Sequence, residues 1–222
     1  MFQPDGSSSL EEKVYLALQE QILSRKLRTG EAVTEMKLSK ALGVSRTPVR
    51  EALQRLDREG LIKLVPNKGA VVLGISEQDL IDIYKIRMRL EGLASRIAAE
   101  NACEELCKKL GDNVNLTTLY MEKGDIEKVK DLDSEFHDII YRSCESRMLS
   151  KILSELHGYI ASYRKLSLAV DGRIEKSLAE HREIYEAINA SDAEGADALM
   201  SAHVERALTN MLTIVTQERK DT

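Results

Sequence analysis

Four residues in the second half of the chain have the types and spacing of a metal site. Asp133 and His137 are four positions apart, so both side chains project from one face of a helix. His181 lies ten positions before a predicted helix break at Ser191 and His203 lies twelve after it, which brings them to similar depth in an antiparallel helix pair. One carboxylate and three imidazoles suit a divalent transition metal: Zn²⁺ first, or Ni²⁺, Mn²⁺ or Fe²⁺. They also leave coordination positions open.

The remaining histidine and the cysteines give weaker signals. His157 lies ten positions after the break at Arg147, so it too can reach the depth of His137, to orient a ligand or as a partly exposed side chain. Cys103 and Cys107 form a Cys-x₃-Cys pair, a poor zinc motif without a second pair, and Cys144 stands alone. Three cysteines without a signal-peptide pattern predict reduced thiols in a cytoplasmic protein.

The composition excludes several classes of protein. The 222 residues are 43% hydrophobic and 4% aromatic, too apolar for a disordered chain. No apolar run approaches the roughly 20 residues that span a bilayer. Abundant Leu, Ala, Glu, Lys and Arg favour helices over strands. We expect a globular, mainly α protein.

Positive charge is concentrated near the start of the chain. Up to Gly74 there are 12 Lys or Arg residues against 9 acidic residues, and beyond it 20 against 28. The stretch from Glu35 to Lys68 holds eight basic and four acidic residues. Any contact with nucleic acid is therefore expected in this stretch.

The elements of this basic region have a recognisable order. Apolar spacing predicts helices over 10–27, 35–42 and 45–59, with Gly43 as a left-handed cap and Ser45 and Pro48 at the start of the third helix. Two short strands, 61–65 and 70–73, flank a basic turn. Three helices followed by a β-hairpin are typical of a winged helix-turn-helix.

The rest of the chain predicts only helices. They cover about 76–101, 103–123, 125–145, 148–169, 173–190 and 192–216, the second being weakest because Gly111 interrupts it. Short breaks between them indicate an antiparallel six-helix bundle. The predicted organisation is a disordered lead (1–9), a winged helix-turn-helix domain (10–74), an all-helical effector-binding and dimerisation domain (75–217) and a tail (218–222).

Several runs resemble one superfamily of bacterial transcription regulators. The segment GVSRTPVREAL from Gly43 to Leu53, with the Pro66–Gly69 turn, closely resembles the DNA-binding domain of the GntR superfamily. The segments 87–91 (RMRLE) and 133–137 (DSEFH), with His181 and His203, are similar to the helical effector domain of its FadR-like (FCD) branch. Six bundle helices instead of seven resemble the VanR-like subgroup.

The resemblance implies roles for the bundle residues. Asp133, His137, His181 and His203 match the metal ligands of the FCD type. Arg87 matches an arginine of the family pattern and can pair with the carboxylate of an effector, whereas the alternative is a salt bridge to a neighbouring glutamate, Glu91.

The third helix is the expected recognition helix. Its N-terminal residues meet base edges in the major groove, and Arg46 and Arg50, four apart, each match the bidentate contact to guanine. The other expected DNA contacts position the protein on phosphates or in the minor groove. They are Lys37, Ser45, Thr47 and Arg55, with Asn67, Lys68 and Gly69 at the tip of the hairpin.

We therefore expect a homodimeric repressor that binds a palindromic operator in double-stranded DNA and senses a small organic acid at its metal. Two alternatives remain at this point. One is a metal-dependent hydrolase, since an open site with three histidines can activate water. The other is a regulator whose metal is structural or is itself the signal.

Overall fold

The computed structural model describes residues 9–66, 68–168 and 172–220, without the side chains of 162, 164–168 and 215–220. The chain divides into two compact units, Met1–Ser76 and Glu77–Thr222. The first combines three helices with a small sheet, and the second is helical throughout its described part. No helix among the described residues is long and apolar enough to cross a membrane.

The first unit contains the three predicted helices, α1 (Leu10–Leu23), α2 (Glu35–Leu42) and α3 (Arg46–Arg58). Residues 1–8 of the predicted lead lie outside the description, and Ser9 caps α1 by accepting a hydrogen bond from the Glu12 amide at 3.1 Å. Helix α1 stops short of residue 27 because Arg25 takes a left-handed backbone, φ 59°. Gly43 ends α2 with φ 67°, a conformation that favours glycine, and α3 begins within three residues.

The wing is a three-stranded sheet. Strands β2 (Ile62–Val65) and β3 (Gly69–Val72) form the predicted hairpin, with Val65 opposite Gly69. A third strand, β1 (Ala32–Val33), pairs with β3 and gives the order β1-β3-β2. It was not predicted because two residues are too few to show an alternating pattern. Gly69 has φ 98°, and a Cβ there would collide with the carbonyl oxygen of Val33. This position therefore requires glycine for structural reasons.

The second unit is the predicted six-helix bundle. Helix α5 continues through Gly111, where it was expected to be weakest. A Cβ at that position would lie 3.1 Å from the Tyr185 hydroxyl, so glycine allows the close approach of Tyr185 to this helix. The tail predicted to begin at 218 is instead helical up to Lys220. The helices are α4 (Glu77–Glu100), α5 (Glu104–Glu122), α6 (Ile126–Ser143), α7 (Arg147–Leu168), α8 (Arg173–Asn189) and α9 (Ala193–Lys220).

Helix α4 has two apolar faces. One is buried and contains Tyr84, Ala94 and Ala98. The other contains Ile86 and Leu93, 48% and 42% exposed, although the sequence pattern alone places both with the buried residues. A helix with apolar residues on both sides therefore has one face that the described part of the chain leaves uncovered.

Candidate functional site

The first candidate site is the start of helix α3. Arg46 and Arg50 lie one turn apart, with side chains 63% and 55% exposed. Ser45 and Thr47 beside them are also exposed. Ser45 occupies the N-cap position in an extended conformation, but its side chain makes no capping hydrogen bond. The start of α3, over its first two turns, thus exposes two guanidinium groups and two hydroxyls.

Both arginines bond to the same carboxylate, that of Glu35 in the first turn of α2. Arg50 donates from Nε to Oε1 at 2.8 Å and from Nη2 to Oε2 at 2.9 Å. Arg46 donates from Nε and Nη2 to Oε2 at 3.3 and 2.9 Å. The hydrogen bond from Arg50 lowers the pKa of Glu35 to about 2, against an opposing effect of burial and with further help from Arg46. Glu35 was missed because eleven residues separate it from Arg46, too far for any helical spacing to show.

Arg55, predicted to contact phosphate, is engaged within the first unit. Its Nη1 donates to Glu12 at 2.6 Å and its Nε to Glu59 at 3.3 Å. Its guanidinium carbon lies 3.6 Å from the ring centroid of Tyr15, a cation–π contact. Arg55 therefore ties α3 to α1, and a phosphate would compete with these partners.

The tip of the wing lies across a cleft from the arginines. Glu35, Arg46, Arg50 and Lys68 all line this cleft of about 580 Å³ within the first unit. Lys68 is exposed at the tip, as is Lys37 on α2, while Asn67 lies outside the described residues. The cleft brings the two predicted base-reading arginines and two of the predicted wing contacts, Lys68 and Gly69, to a common surface.

The second candidate site is a group of three buried histidines, His137 on α6, His181 on α8 and His203 on α9. One potential ligand atom of each lies within 4.8 Å of those of the other two. Their ring centroids are 4.8–5.2 Å apart. A single ion at about 2.1 Å from each nitrogen needs these atoms about 3.4 Å apart, which is inside the 4.8 Å limit within which they lie here. The donor set therefore fits one divalent metal.

Asp133 belongs to the same cluster through His181. Its Oδ1 lies 3.7 Å from Nε2 of His181 and accepts a hydrogen bond from the Ser177 hydroxyl at 3.1 Å. The ring of Phe136 stacks on that of His181 with centroids 4.1 Å apart and planes 9° from parallel. The structure thus brings together all four residues that the sequence singled out. The stacking of Phe136 also fixes the plane of the His181 ring.

Two buried glutamates hold the other two histidines: Glu91, which the sequence offered only as a partner of Arg87, and Glu180, which the sequence did not single out. Glu91 Oε2 lies 2.6 Å from Nδ1 of His137, and Glu180 Oε2 lies 2.6 Å from Nδ1 of His203. Carboxylates bonded to one ring nitrogen orient a histidine ligand and increase the basicity of the other nitrogen. The available signal was Glu91 itself, a charged residue one turn from Ala94 and Ser95 on the buried face of α4.

Each glutamate is in turn paired with a buried arginine. Arg173 donates to both oxygens of Glu180 at 3.1 and 2.9 Å. Burial would raise the pKa of Glu180, but hydrogen bonds from His203 and Arg173 lower it to about 2. The carboxylate is therefore ionised beside the histidine it orients.

Arg87 forms the salt bridge to Glu91 that the sequence offered as an alternative to effector binding. Its Nε donates to Oε1 at 2.6 Å, and its guanidinium carbon lies 4.9 Å from the ring centroid of Tyr84. Burial opposes its charge, but Glu91 outweighs burial and raises the pKa of Arg87 above its usual value. Nη1 is buried and has no hydrogen-bond partner among the described residues.

His157 and the cysteines lie apart from the histidine group. The ring of His157 reaches the predicted depth, 6.3 Å from that of His137 between centroids, but it is half-buried and outside the group of three. Cys103 is exposed and Cys144 is buried, and no group of potential ligands in the described residues includes a cysteine.

Comparison with known proteins gives a family match for each of the two units. Residues 10–72 match the family of bacterial regulatory proteins called gntR, and residues 82–206 match the FCD domain. The uncharacterized HTH-type transcriptional regulator YdhC of Bacillus subtilis (strain 168) is 32% identical over 191 residues, 85% of each chain. The HTH-type transcriptional repressor RspR of Escherichia coli (strain K12) is 24% identical over 99% of this chain and 96% of its own. Among solved structures, E. coli McbR/YncC shares the fold with a TM-score of 0.74 at 23% identity, covering 94% of this chain and 100% of that one.

These relatives are regulators, so the hydrolase alternative receives no support. The matched segments also follow the two structural units, the first within Met1–Ser76 and the second within Glu77–Thr222. With both family domains present in this order along one chain, the protein belongs to the GntR family of bacterial transcription regulators, in the branch that carries an FCD domain.

Proposed function

We propose that this protein is a homodimeric repressor that binds a palindromic operator. Its affinity for the operator is controlled by a small organic acid bound at a divalent metal in the bundle. The observation that carries this proposal is the convergence of three buried histidines beside Asp133. RspR, a relative of this protein, is named a transcriptional repressor, which supports repression over activation.

The proposed metal ligands are Asp133, His137, His181 and His203. Because Glu91 and Glu180 bond to Nδ1 of His137 and His203, the Nε2 atoms of those two rings are the natural ligand atoms. Zn²⁺ is the first candidate, with Ni²⁺, Mn²⁺ and Fe²⁺ also suited to this donor set. When bound, the metal would supply open coordination positions for an anionic oxygen.

Arg87 is the proposed partner for the other end of the effector. Buried donors in proteins are almost always satisfied, and Nη1 of Arg87 lacks a partner among the described residues. Glu91 occupies the Nε edge of this arginine, so a carboxylate on the effector would bond at Nη1. Because Glu91 also contacts His137, the effector and the metal would share one charged network.

Arg46 and Arg50 are the proposed base-reading residues, since they are the exposed arginines at the start of α3. The proposed phosphate or minor-groove contacts surround them and keep the roles expected from the sequence. They are Lys37, Ser45, Thr47, Arg55, Asn67, Lys68 and Gly69.

The exposed apolar face of α4 supports dimerisation with a second copy of the chain. Ile86 and Leu93 are seven residues apart, and Ile83, Leu90 and Ile97 complete a spacing of alternately three and four residues. That spacing is typical of a seam between two helices. A dimer would present two winged helices to the two halves of an operator, and an effector would favour a geometry that no longer fits the half-site spacing.

A regulator whose metal is structural, or is itself the signal, is the second candidate. The observation in its favour is that Glu91 already neutralises the charge of Arg87, so the arginine does not need an effector to be stable.

One screen separates these candidates. Thermal unfolding of metal-loaded and demetallated protein would be followed with a panel of hydroxy, keto and dicarboxylic acids of two to six carbons. We expect at least one acid to raise the midpoint of the loaded protein only, by the linkage between binding and stability. An acid that stabilises both forms equally would place its pocket away from the metal, and a panel without any hit would favour the second candidate.

A further inference from the structure

The most unusual feature of the DNA-binding surface is an acidic side chain at its centre. Glu35 is 23% exposed and accepts four hydrogen bonds from the two exposed arginines at the start of α3. Exposed ion pairs contribute little to folding stability, so the fold alone does not explain this arrangement. A carboxylate at a surface that must approach DNA also carries an electrostatic cost.

The geometry of the two arginine contacts shows which donors remain available. Both Arg46 and Arg50 bond to Glu35 through Nε and Nη2, the side edge of the guanidinium. Each guanidinium has five N–H groups, so Nη1 and the second hydrogen of Nη2 remain, and together they form the end fork that matches O6 and N7 of guanine. Neither Nη1 bonds to another residue in the described part of the chain. Glu35 can therefore stay in place while both arginines bind bases.

We infer that Glu35 is a specificity-determining residue of the DNA-binding surface, which positions Arg46 and Arg50 by their side edges and shields them from phosphates. Positioning favours the operator, because two arginines already held in one orientation lose less rotamer freedom on meeting guanine. Shielding disfavours other sequences, because a negative charge beside the arginines weakens purely electrostatic contacts with phosphate. The two effects act on the ratio of specific to non-specific affinity.

The opposite role would be simple competition, in which Glu35 must release the arginines before they meet DNA. Removal of a competitor strengthens operator and random DNA by similar factors. Removal of a positioning residue changes the two affinities in opposite directions. The difference is measurable without knowledge of the natural operator.

The test uses the full-length protein and two duplexes of equal length, one selected from a random pool by the wild-type protein and one unselected pool. Dissociation constants would be measured by fluorescence anisotropy over a series of KCl concentrations. For Glu35→Gln we expect weaker binding to the selected duplex and tighter binding to the pool, so that their ratio falls at least about tenfold. The slope of log K against log salt for the pool should steepen by about 1 to 2, as one or two arginines become free to meet phosphate.

Two further variants separate position from charge. Glu35→Asp keeps the charge but shortens the side chain, so it should lose affinity for the selected duplex while binding the pool as the wild type does. Glu20→Gln removes an equal charge from an exposed position on α1 and should leave the ratio unchanged. Circular dichroism and the unfolding midpoint would check that each variant is folded.

Parallel changes of both affinities in Glu35→Gln would make Glu35 a competitor and overturn the inference. Full discrimination by Glu35→Asp would overturn the positioning role. The inference rests on the proposed reading of bases by Arg46 and Arg50, and Arg50→Ala tests that separately. If Arg50→Ala keeps the selectivity of the wild type, the base-reading proposal fails; if it loses selectivity while Glu35→Gln keeps it, only the role of Glu35 fails.

Discussion

Oε2 of Glu91 lies 2.6 Å from Nδ1 of His137, and both side chains are fully buried. The other oxygen of the same carboxylate accepts a hydrogen bond from Arg87. One glutamate therefore connects a proposed metal ligand to the proposed effector-binding arginine across α4 and α6. The two proposed sites therefore share the carboxylate of Glu91.

Glu91→Gln should weaken metal binding by about 10- to 100-fold, because the amide no longer supplies the charge that increases the basicity of His137. Competition with a chromophoric chelator would measure the change. Glu183→Gln, at an exposed position of α8, is the matched control. An unchanged metal affinity in Glu91→Gln would show that the ring of His137, which Glu91 orients, does not bind the metal.

His203→Ala should abolish the binding of one divalent ion per chain, because it removes a ligand from the centre of the histidine group. His181→Ala should do the same, and its loss of buried contacts should lower the unfolding midpoint as well. Native mass spectrometry of protein never exposed to chelator would count the ions. His157→Ala should keep the ion, since His157 lies outside the group. An ion-free wild-type protein would rule out the site.

Arg50→Ala should remove operator selectivity and leave a weaker, salt-sensitive binding. Loss of a bidentate contact to guanine corresponds to about 1–3 kcal/mol of discrimination. Lys68→Ala at the tip of the wing should instead weaken binding to every sequence and reduce the salt slope by about 1. Titrations of both variants on selected and random duplexes would separate the two patterns. Equal behaviour of the variants would argue against the assignment of α3 as the base-reading helix.

Arg87→Lys should weaken the response to an effector acid while keeping a positive charge beside Glu91. This change is preferable to Arg87→Ala, which would leave the fully buried Glu91 without its cation at a cost of about 3–5 kcal/mol. Lysine presents a point charge instead of a planar fork, so the pairing with a carboxylate is lost. The thermal shift produced by the best acid should shrink, whereas metal content should not change. A full response in Arg87→Lys would place the acid elsewhere.

Glu35 should titrate far below an ordinary glutamate. Its pKa of about 2 lies below the usual 4.5, first because of the hydrogen bond from Arg50. A lowered pKa means that the stabilisation by this carboxylate is complete above about pH 4.5 and is lost as the pH falls towards 2. The difference in unfolding free energy between wild type and Glu35→Gln should therefore be constant from pH 5 to 8 and shrink below pH 4.5. Carbon NMR of the side-chain carboxyl should show its pKa rising in Arg50→Ala.

The sequence predicted what local spacing can encode. The winged helix-turn-helix, the six-helix bundle and the four residues Asp133, His137, His181 and His203 follow from helical periods, break positions and equal depths along neighbouring helices. Glu91 lies 46 positions from His137, so no spacing rule connects them. The position of Glu91 on the buried face of α4 was a signal of burial, but its bond to His137 depends on the packing of α4 against α6 and is visible only in three dimensions.

Strand β1 has a consequence for how the protein would recognise DNA shape. Val33 pairs with Ala70 next to the tip of the wing, and Glu35 follows two residues later with both arginines attached. Strand β1 therefore connects the wing directly to the residue that holds the arginine pair. A groove that is too wide or too narrow for the wing would shift the arginines off their bases, so sequence and groove width would be read as one quantity. Substitutions in β1, which need not touch DNA at all, are then a route by which related regulators can change the operators they prefer.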